Sequence, residues 1–178
     1  MWSLATAMTE IALRRRGPES LPDSTFLVLF LLVVDIFVTL VSLLLSQSVS
    51  RVTLILLASD AVLSFAFVFA VLTFFRLERR FRQTVSAMLG ADIIISLAFL
   101  PIGAVGLAMG LEPLASPLLG ARLIFYFWYV FIAASILARA LSQPFFVGLM
   151  FEILYVLTSL SIGDFLAPAA DVLPTEAI

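Results

Sequence analysis

Long apolar stretches alternate with short polar ones along this chain. A helix needs about 20 residues to cross a hydrocarbon core of about 30 Å. Five stretches have at least that length, and they predict transmembrane helices at 26–45, 53–75, 85–109, 118–137 and 145–166. The pattern therefore predicts an all-α fold, namely a polytopic membrane protein in which a bundle of five transmembrane helices occupies residues 24–167.

The segments outside this domain are short. In the N-terminal segment, residues 1–23, one helical face carries Leu4, Met8 and Ile11. This face predicts a short helix lying in the membrane interface, although a frayed terminus is an equal alternative. Residues 168–178 form a short acidic tail.

The link between the first two predicted helices is also short. It consists of the polar residues Ser46 to Arg51. Helices joined by so short a connection commonly pack side by side. We therefore expect the first two helices to form an antiparallel hairpin.

The arginines indicate the orientation of the bundle. If the predicted helices cross alternately, two arginines, Arg51 and Arg122, lie on one side of the membrane. The other eight lie on the opposite side: Arg14, Arg15, Arg16, Arg76, Arg79, Arg80, Arg82 and Arg139. By the positive-inside rule we expect the N-terminus inside and the C-terminus outside. The cluster from Arg76 to Arg82 could contact lipid headgroups, but an ordinary positive-inside loop has the same composition.

Composition narrows the possible functions. Hydrophobic residues make up 63% of the chain and charged residues 12%, which is too little polar surface for a soluble domain. Cysteine and histidine are absent, so disulfides, thiolate nucleophiles, imidazole bases and Cys/His metal sites are excluded. No phosphate-binding loop or metal-ligand motif occurs. We expect no enzymatic activity, no cofactor, no metal and no nucleic-acid partner.

Acidic residues inside the predicted helices are the main candidates for chemistry. Each of the first three helices has one aspartate with a hydroxyl residue four positions later: Asp35 with Thr39, Asp60 with Ser64, and Asp92 with Ser96. Residues i and i+4 share a helix face, so each unit forms a polar stripe that should face protein instead of lipid. Charged groups in membrane helices are costly and usually functional. The fifth helix adds Glu152, which lacks a hydroxyl at the equivalent place.

The depth of each acid suggests which of them meet. Asp35, Asp92 and Glu152 lie roughly 10 to 13 Å from the same side of the membrane, so they could share one level. Asp60 enters from the opposite side and could pair with Arg122.

Two interpretations of these acids remain open. In the functional one, Asp35, Asp92 and Glu152, with Thr39 and Ser96, form a proton or cation site, because clustered carboxylates in a low dielectric share protons. In the structural one, each acid is protonated and hydrogen-bonded to a neighbouring helix, which holds the bundle together.

Two further patterns indicate packing and interface positions. Gly103, Gly106 and Gly110 form a strip of small residues that we interpret as a helix-packing surface. Tyr126 and Tyr129 lie near the outer end of the fourth predicted helix, a position typical of interfacial aromatic residues.

Two resemblances extend this interpretation. Residues 16–24, R-G-P-E-S-L-P-D-S, resemble the R-G-P-x-x-L-P-x-S lead-in of small, uncharacterised proteobacterial inner-membrane proteins. The five-helix layout with the N-terminus inside is similar to that of the Yip1-like superfamily. The first resemblance implies a location in the bacterial inner, cytoplasmic membrane. The second implies a role in membrane organisation through protein partners, and it assigns no site residues.

The function expected from the sequence is therefore that of a non-enzymatic accessory or scaffold protein. It would act through helix contacts or membrane lipids, with another membrane protein or a second copy as partner. The alternative is a small proton- or cation-coupled transporter or channel subunit that uses the intramembrane carboxylates. A transporter needs acids that ionise and that water can reach, whereas a scaffold needs them only hydrogen-bonded.

Overall fold

The computed structural model describes residues 4–45, 49–110 and 116–171. These residues form six α-helices and no strand: α1 (Leu4–Ala12), α2 (Thr25–Leu45), α3 (Arg51–Phe74), α4 (Phe81–Ala108), α5 (Ser116–Ala140) and α6 (Phe145–Asp171). Single 3₁₀ turns at Pro18–Ser20 and Glu78–Arg80 precede α2 and α4. Helices α2 to α6 contain five segments long and apolar enough to cross a membrane. The predicted all-α class with five spans is confirmed.

Each long helix extends beyond at least one predicted bound, and α4 and α6 do so by four residues or more. Helix α4 begins at Phe81 instead of 85, because the 3₁₀ turn before it leads into the helix without a break. Helix α6 continues to Asp171 and so includes the start of the predicted tail. The rest of that tail, residues 172–178, lies outside the described residues, as do residues 46–48 of the link between α2 and α3.

The helices pack in an order that differs from their order in the chain. Helix α2 packs on α4, α4 on α5, α5 on α6, and α6 on α3, with a smaller contact between α3 and α4. Across the described ranges, α2 and α3 do not pack along each other. The predicted hairpin is therefore wrong. Helix α2 packs mainly on α4, and α3 packs mainly on α6.

A tightly packed core lies at one end of the bundle. It is formed by α1, the C-terminal ends of α3 and α5, and the N-terminal half of α4. Leu72, Ile132 and Leu137 are completely buried there. The apolar face of α1 packs on this core, and Met8 fits against Gly90, where a Cβ atom would lie 3.1 Å from the Met8 Cγ. Helix α1 is therefore part of the packed bundle and not a frayed end.

Three helices end in this region with the same turn. The second residue after each of α1, α3 and α5 has a left-handed conformation, with φ between 54° and 60°. These residues are Arg14, Arg76 and Ser142. The N–H of the following residue donates to a carbonyl five residues back, at 2.8 Å in each case: Arg15 to Glu10, Leu77 to Leu72, and Gln143 to Ala138. These hydrogen bonds define Schellman caps. The caps turn the chain sharply and gather the eight predicted arginines at this end, which we call the arginine end.

Arginine side chains connect the loops of the arginine end. Arg80 Nη1 donates to the Ala140 carbonyl at 2.7 Å and to the Ser142 hydroxyl at 2.8 Å. Arg139 donates to the Arg14 carbonyl at 2.8 Å. The turn between α3 and α4 and the end of α1 are thereby both attached to the end of α5.

The predicted lipid-contact arginines fall into two groups. Arg80 has the protein partners just described, and Arg82 forms an ion pair with Asp23 at 2.6 Å. Arg76 and Arg79 are exposed. The second group is the one that remains available to headgroups.

The predicted glycine strip contacts a neighbouring helix at one of its three positions. A Cβ at Gly106 would lie 2.6 Å from Leu118 Cδ2, at the far end of a flexible side chain. A Cβ at Gly103 would meet only Phe99 of its own helix, and Gly110 ends α4 with a φ of 67°. The strip therefore does not form a close helix contact along its length.

A closer contact between helix backbones occurs at a different glycine. Gly148 of α6 lies against α5, where a Cβ atom would be 2.7 Å from the Ala138 nitrogen and closer still to the Ala134 carbonyl oxygen. Backbone atoms cannot move aside as a side chain can. Gly148 therefore sets the approach of α5 and α6.

Candidate functional site

The end of the bundle opposite the arginine end contains a cavity of about 830 Å³. All five long helices line it: α4 along most of its length from Val85 onward, α2 through its C-terminal part, α3 and α5 through their N-terminal parts, and α6 through its middle. Consecutive helices therefore run in opposite directions, as alternate crossings of a membrane require. We call this region the cavity end.

Every long helix contributes polar side chains to the cavity lining. They are Asp35, Thr39 and Ser42 from α2, Asp60 and Ser64 from α3, Asp92 and Ser96 from α4, Arg122, Tyr126 and Tyr129 from α5, and Glu152, Tyr155 and Ser159 from α6. The three aspartate–hydroxyl units all line the cavity, as their helical spacing predicts. Four acids and one arginine thus share the same space.

The carboxyl groups of Asp35 and Asp92 lie within hydrogen-bonding reach of each other. Asp35 Oδ1 is buried, and no N–H or hydroxyl group in the described part of the chain donates to it. Two carboxyl groups can form a hydrogen bond only if one of them carries a proton. Carboxyl groups this close together in a low dielectric favour a state in which they share a proton.

Asp60 is bound differently. Tyr155 Oη donates to its Oδ1 at 2.9 Å, and Ser159 Oγ donates to the same oxygen at 2.5 Å. These hydrogen bonds join α3 to α6. The predicted ion pair between Asp60 and Arg122 does not form within the described ranges, although both residues line the cavity, because Tyr155 and Ser159 already bind the carboxylate.

Glu152 is the most deeply buried acid of the cavity. Only 3% of its surface is exposed, and within the described ranges it forms no hydrogen bond or ion pair. Asp60 lies close enough to Glu152 for the two carboxyl groups to interact electrostatically. Burial of a charge without a partner is costly, so a group that could satisfy Glu152 would gain binding energy from it.

The structure brings Asp35, Asp92 and Glu152 around a common neighbour. All three lie close enough to Tyr129 of α5 to act on it electrostatically. Tyr129 had been predicted at the membrane interface, but it lies inside the bundle because its ring faces the cavity. Asp60 is also close enough to Asp92 and Glu152 for their charges to interact, so the four acids form one electrostatic group.

Five polar residues of this site were not predicted from the sequence: Ser42, Tyr126, Tyr129, Tyr155 and Ser159. Tyr155 and Ser159 follow Glu152 at i+3 and i+7, and Tyr129 follows Arg122 at i+7. Those spacings place residues on the same helical face. The polar stripes of α5 and α6 could therefore have been recognised with the rule that identified the aspartate–hydroxyl units.

The remainder of the cavity wall is apolar and partly aromatic. Phe65 of α3, Phe99 of α4 and Phe125 of α5 line it, and the last two rings meet edge to face with centroids 5.6 Å apart. In the parts of the chain that the structure describes, no group of three or more acidic side chains is arranged to hold a metal ion. The cavity thus combines an excess of acidic over basic side chains with an apolar wall.

The chain matches no family model, no curated protein and no solved structure. The resemblances noted in the sequence therefore stay predictions. The cavity itself provides the argument for function.

Proposed function

We propose that this multi-pass membrane protein is a small proton-coupled cation carrier, or a subunit of one, without enzymatic activity. The observation that carries the proposal is the pair of neighbouring carboxyl groups, Asp35 and Asp92, which line a cavity inside the bundle. Such a pair favours a shared proton. Loss of that proton leaves an additional negative charge in a low dielectric. A cation entering the cavity can neutralise this charge, so protons and cations compete for the same space.

A scaffold function is the second candidate, and Asp60 favours it. The carboxylate of Asp60 joins two helices through Tyr155 and Ser159, as a structural acid would. Glu152 does not fit this description, because no donor of the described residues reaches it. This acid, together with the neighbouring carboxyl groups of Asp35 and Asp92 in the cavity, is the reason to prefer the carrier.

We also propose that the protein lies in the bacterial inner membrane with its arginine end in the cytoplasm. The gathering of eight arginines at one end supports this orientation through the positive-inside rule. The cavity would then lie toward the outer side. Exposed Arg76 and Arg79 would contact anionic headgroups of the inner leaflet.

Proton flux into liposomes under an imposed membrane potential tests the carrier. The purified wild type would be compared with Asp35→Asn and Asp92→Asn, which replace a carboxyl group by an amide of similar shape. Asp164→Asn is the matched control, because Asp164 lies on exposed surface of α6 and not in the cavity lining.

We expect flux in the wild type and in the control and its loss in both cavity variants. Infrared spectra of the same proteins should show a protonated carboxyl band that either cavity substitution removes. A folded wild type that passes no protons and lacks this band would favour the scaffold instead.

A further inference from the structure

We infer that the cation bound in the cavity is organic, a monovalent cation with apolar substituents, held by Glu152 and Asp60 with its apolar part against the aromatic wall. This inference rests on the proposed carrier function and assigns it a substrate class. Three separate observations support it: the size and lining of the cavity, the unpartnered Glu152, and the way in which Asp60 is bound.

The size and lining of the cavity fit an organic guest. Its volume of about 830 Å³ lies in the range of about 300 to 1,000 Å³ found for pockets that bind small organic molecules. A bare inorganic cation instead needs several oxygen ligands gathered at short distances. Phe65, Phe99 and Phe125 offer apolar contacts and ring faces, and ring faces attract organic cations.

Glu152 is positioned to bind the charged centre. It is almost fully buried, it lines the cavity, and no partner from the described residues satisfies it. A hydrated inorganic ion would have to lose its water to reach such a depth beside apolar walls. An organic cation has a weaker hydration shell, so it reaches a buried carboxylate at lower cost.

Asp60, on the neighbouring helix α3, offers a second carboxylate oxygen. Tyr155 and Ser159 both donate to Oδ1, which holds the carboxylate in place and leaves Oδ2 for a ligand. Tyr155 is itself fixed by packing on Phe67, with ring centroids 5.5 Å apart. Because Glu152 precedes Tyr155 by three residues on the same face of α6, the two acids lie at neighbouring levels of the cavity.

Arg122 places a positive charge in the cavity lining, which opposes the binding of a cation. It is the one basic side chain in the described lining of the cavity, and it is exposed and without an ion pair to Asp60. A cationic guest is repelled by this guanidinium. Removal of the Arg122 charge should therefore strengthen binding, whereas removal of either acid should weaken it.

Equilibrium dialysis of the detergent-solubilised full chain against tetraphenylphosphonium tests the inference. We expect saturable binding by the wild type and by Asp164→Asn. Glu152→Gln and Asp60→Asn should bind at least about tenfold more weakly, because each removes a charge from the ligand's surroundings. Arg122→Gln should bind more tightly. Size-exclusion profiles and helical circular dichroism would show that each variant is folded.

Several results would overturn the inference. One is the absence of saturable binding by the folded wild type, and another is equal affinity in Glu152→Gln, Asp60→Asn and the control. Complete displacement of the probe by an equal concentration of sodium or magnesium chloride would show an inorganic site instead.

The two experiments test the carrier function and the organic substrate separately. Proton flux that depends on Asp35 and Asp92, together with no probe binding, would keep the carrier and reject the organic substrate. Probe binding that depends on Glu152 and Asp60, without proton flux in any protein, would keep the organic site and reject proton coupling.

Discussion

The two ends of the bundle differ in how tightly they are packed. At the arginine end, the helices pack around completely buried aliphatic side chains such as Leu72 and Leu137. At the cavity end, the five long helices enclose a cavity of about 830 Å³ that polar side chains partly line. Helices α2 and α3, which are consecutive in the chain, stay apart along their described lengths. Local stability follows the density of buried apolar contacts. We therefore expect the arginine end to be the more stable of the two ends.

The two ends also treat charge differently. Arg80 and Arg139 donate to carbonyl oxygens, and Arg82 pairs with Asp23. At the cavity end, Glu152 is buried and lacks a comparable partner in the described ranges, and Asp35 meets another acid. A protein that used its acids only to hold helices together would satisfy them as it satisfies its arginines. The contrast favours a ligand-binding role for the cavity.

Gly148→Ala should have the largest effect on the free energy of unfolding. The added Cβ would lie 2.7 Å from the Ala138 nitrogen and against the Ala134 carbonyl, so α5 and α6 would have to separate. We expect a loss of about 3 kcal/mol, since overpacking of a well-packed contact costs about that much. Unfolding in mild detergent followed by circular dichroism measures it.

Gly163→Ala is the matched control for that change. It lies on the same helix, and a Cβ there would meet nothing within 4 Å. Alanine favours a helix over glycine by about 0.5 to 1 kcal/mol, so this variant should be as stable as the wild type or slightly more so. Equal stability of the two alanine variants would contradict the close approach of α5 and α6.

Arg80→Ala should destabilise the arginine end by a smaller amount. It removes both hydrogen bonds that attach the turn before α4 to the end of α5, for which we expect about 1.5 kcal/mol. The neighbouring variant Arg79→Ala removes an exposed guanidinium and should change stability by less than about 0.5 kcal/mol. If the two variants have the same free energy of unfolding, the hydrogen bonds of Arg80 do not stabilise the arginine end.

Glu152→Gln should raise the free energy of unfolding, whereas Gly148→Ala and Arg80→Ala should lower it. It removes a buried acid that has no partner among the described residues, so we expect the variant to be more stable by about 1 kcal/mol. Asp164→Asn, on exposed surface of the same helix, should have no effect in the same detergent titration. A destabilised Glu152→Gln would show that the acid supports the fold, and the argument that it awaits a ligand would fail.

The sequence was sufficient to predict the helices and the faces they turn inward. Each span is a predominantly apolar stretch, and the spacing of Asp35 with Thr39, or Asp92 with Ser96, indicates which face is polar. These properties are local, so a single chain displays them. The convergence of the stripes on one cavity follows from their polarity, because lipid excludes them.

The neighbours of each helix could not be predicted in the same way. Depth in the membrane suggested Arg122 as the partner of Asp60, but depth does not determine which helices stand side by side. Tyr155 and Ser159 reach Asp60 because α3 packs on α6, a contact between residues more than 90 positions apart. Gly148 was missed for a related reason: its role depends on backbone atoms of another helix.

The smallest predicted effect concerns the helix ends. At the arginine end, Arg76 occupies the left-handed position of a Schellman cap. This conformation costs a residue with a side chain about 1 kcal/mol. At the cavity end, Gly110 occupies the corresponding left-handed position after α4. Arg76→Gly should therefore raise the free energy of unfolding by about 0.5 to 1 kcal/mol, and Gly110→Ala should lower it by a similar amount. Arg76→Ala removes the same side chain without relieving the backbone, so it separates the two causes. If Arg76→Ala stabilises the protein as much as Arg76→Gly does, repulsion among the clustered arginines, and not backbone conformation, limits the stability of that end.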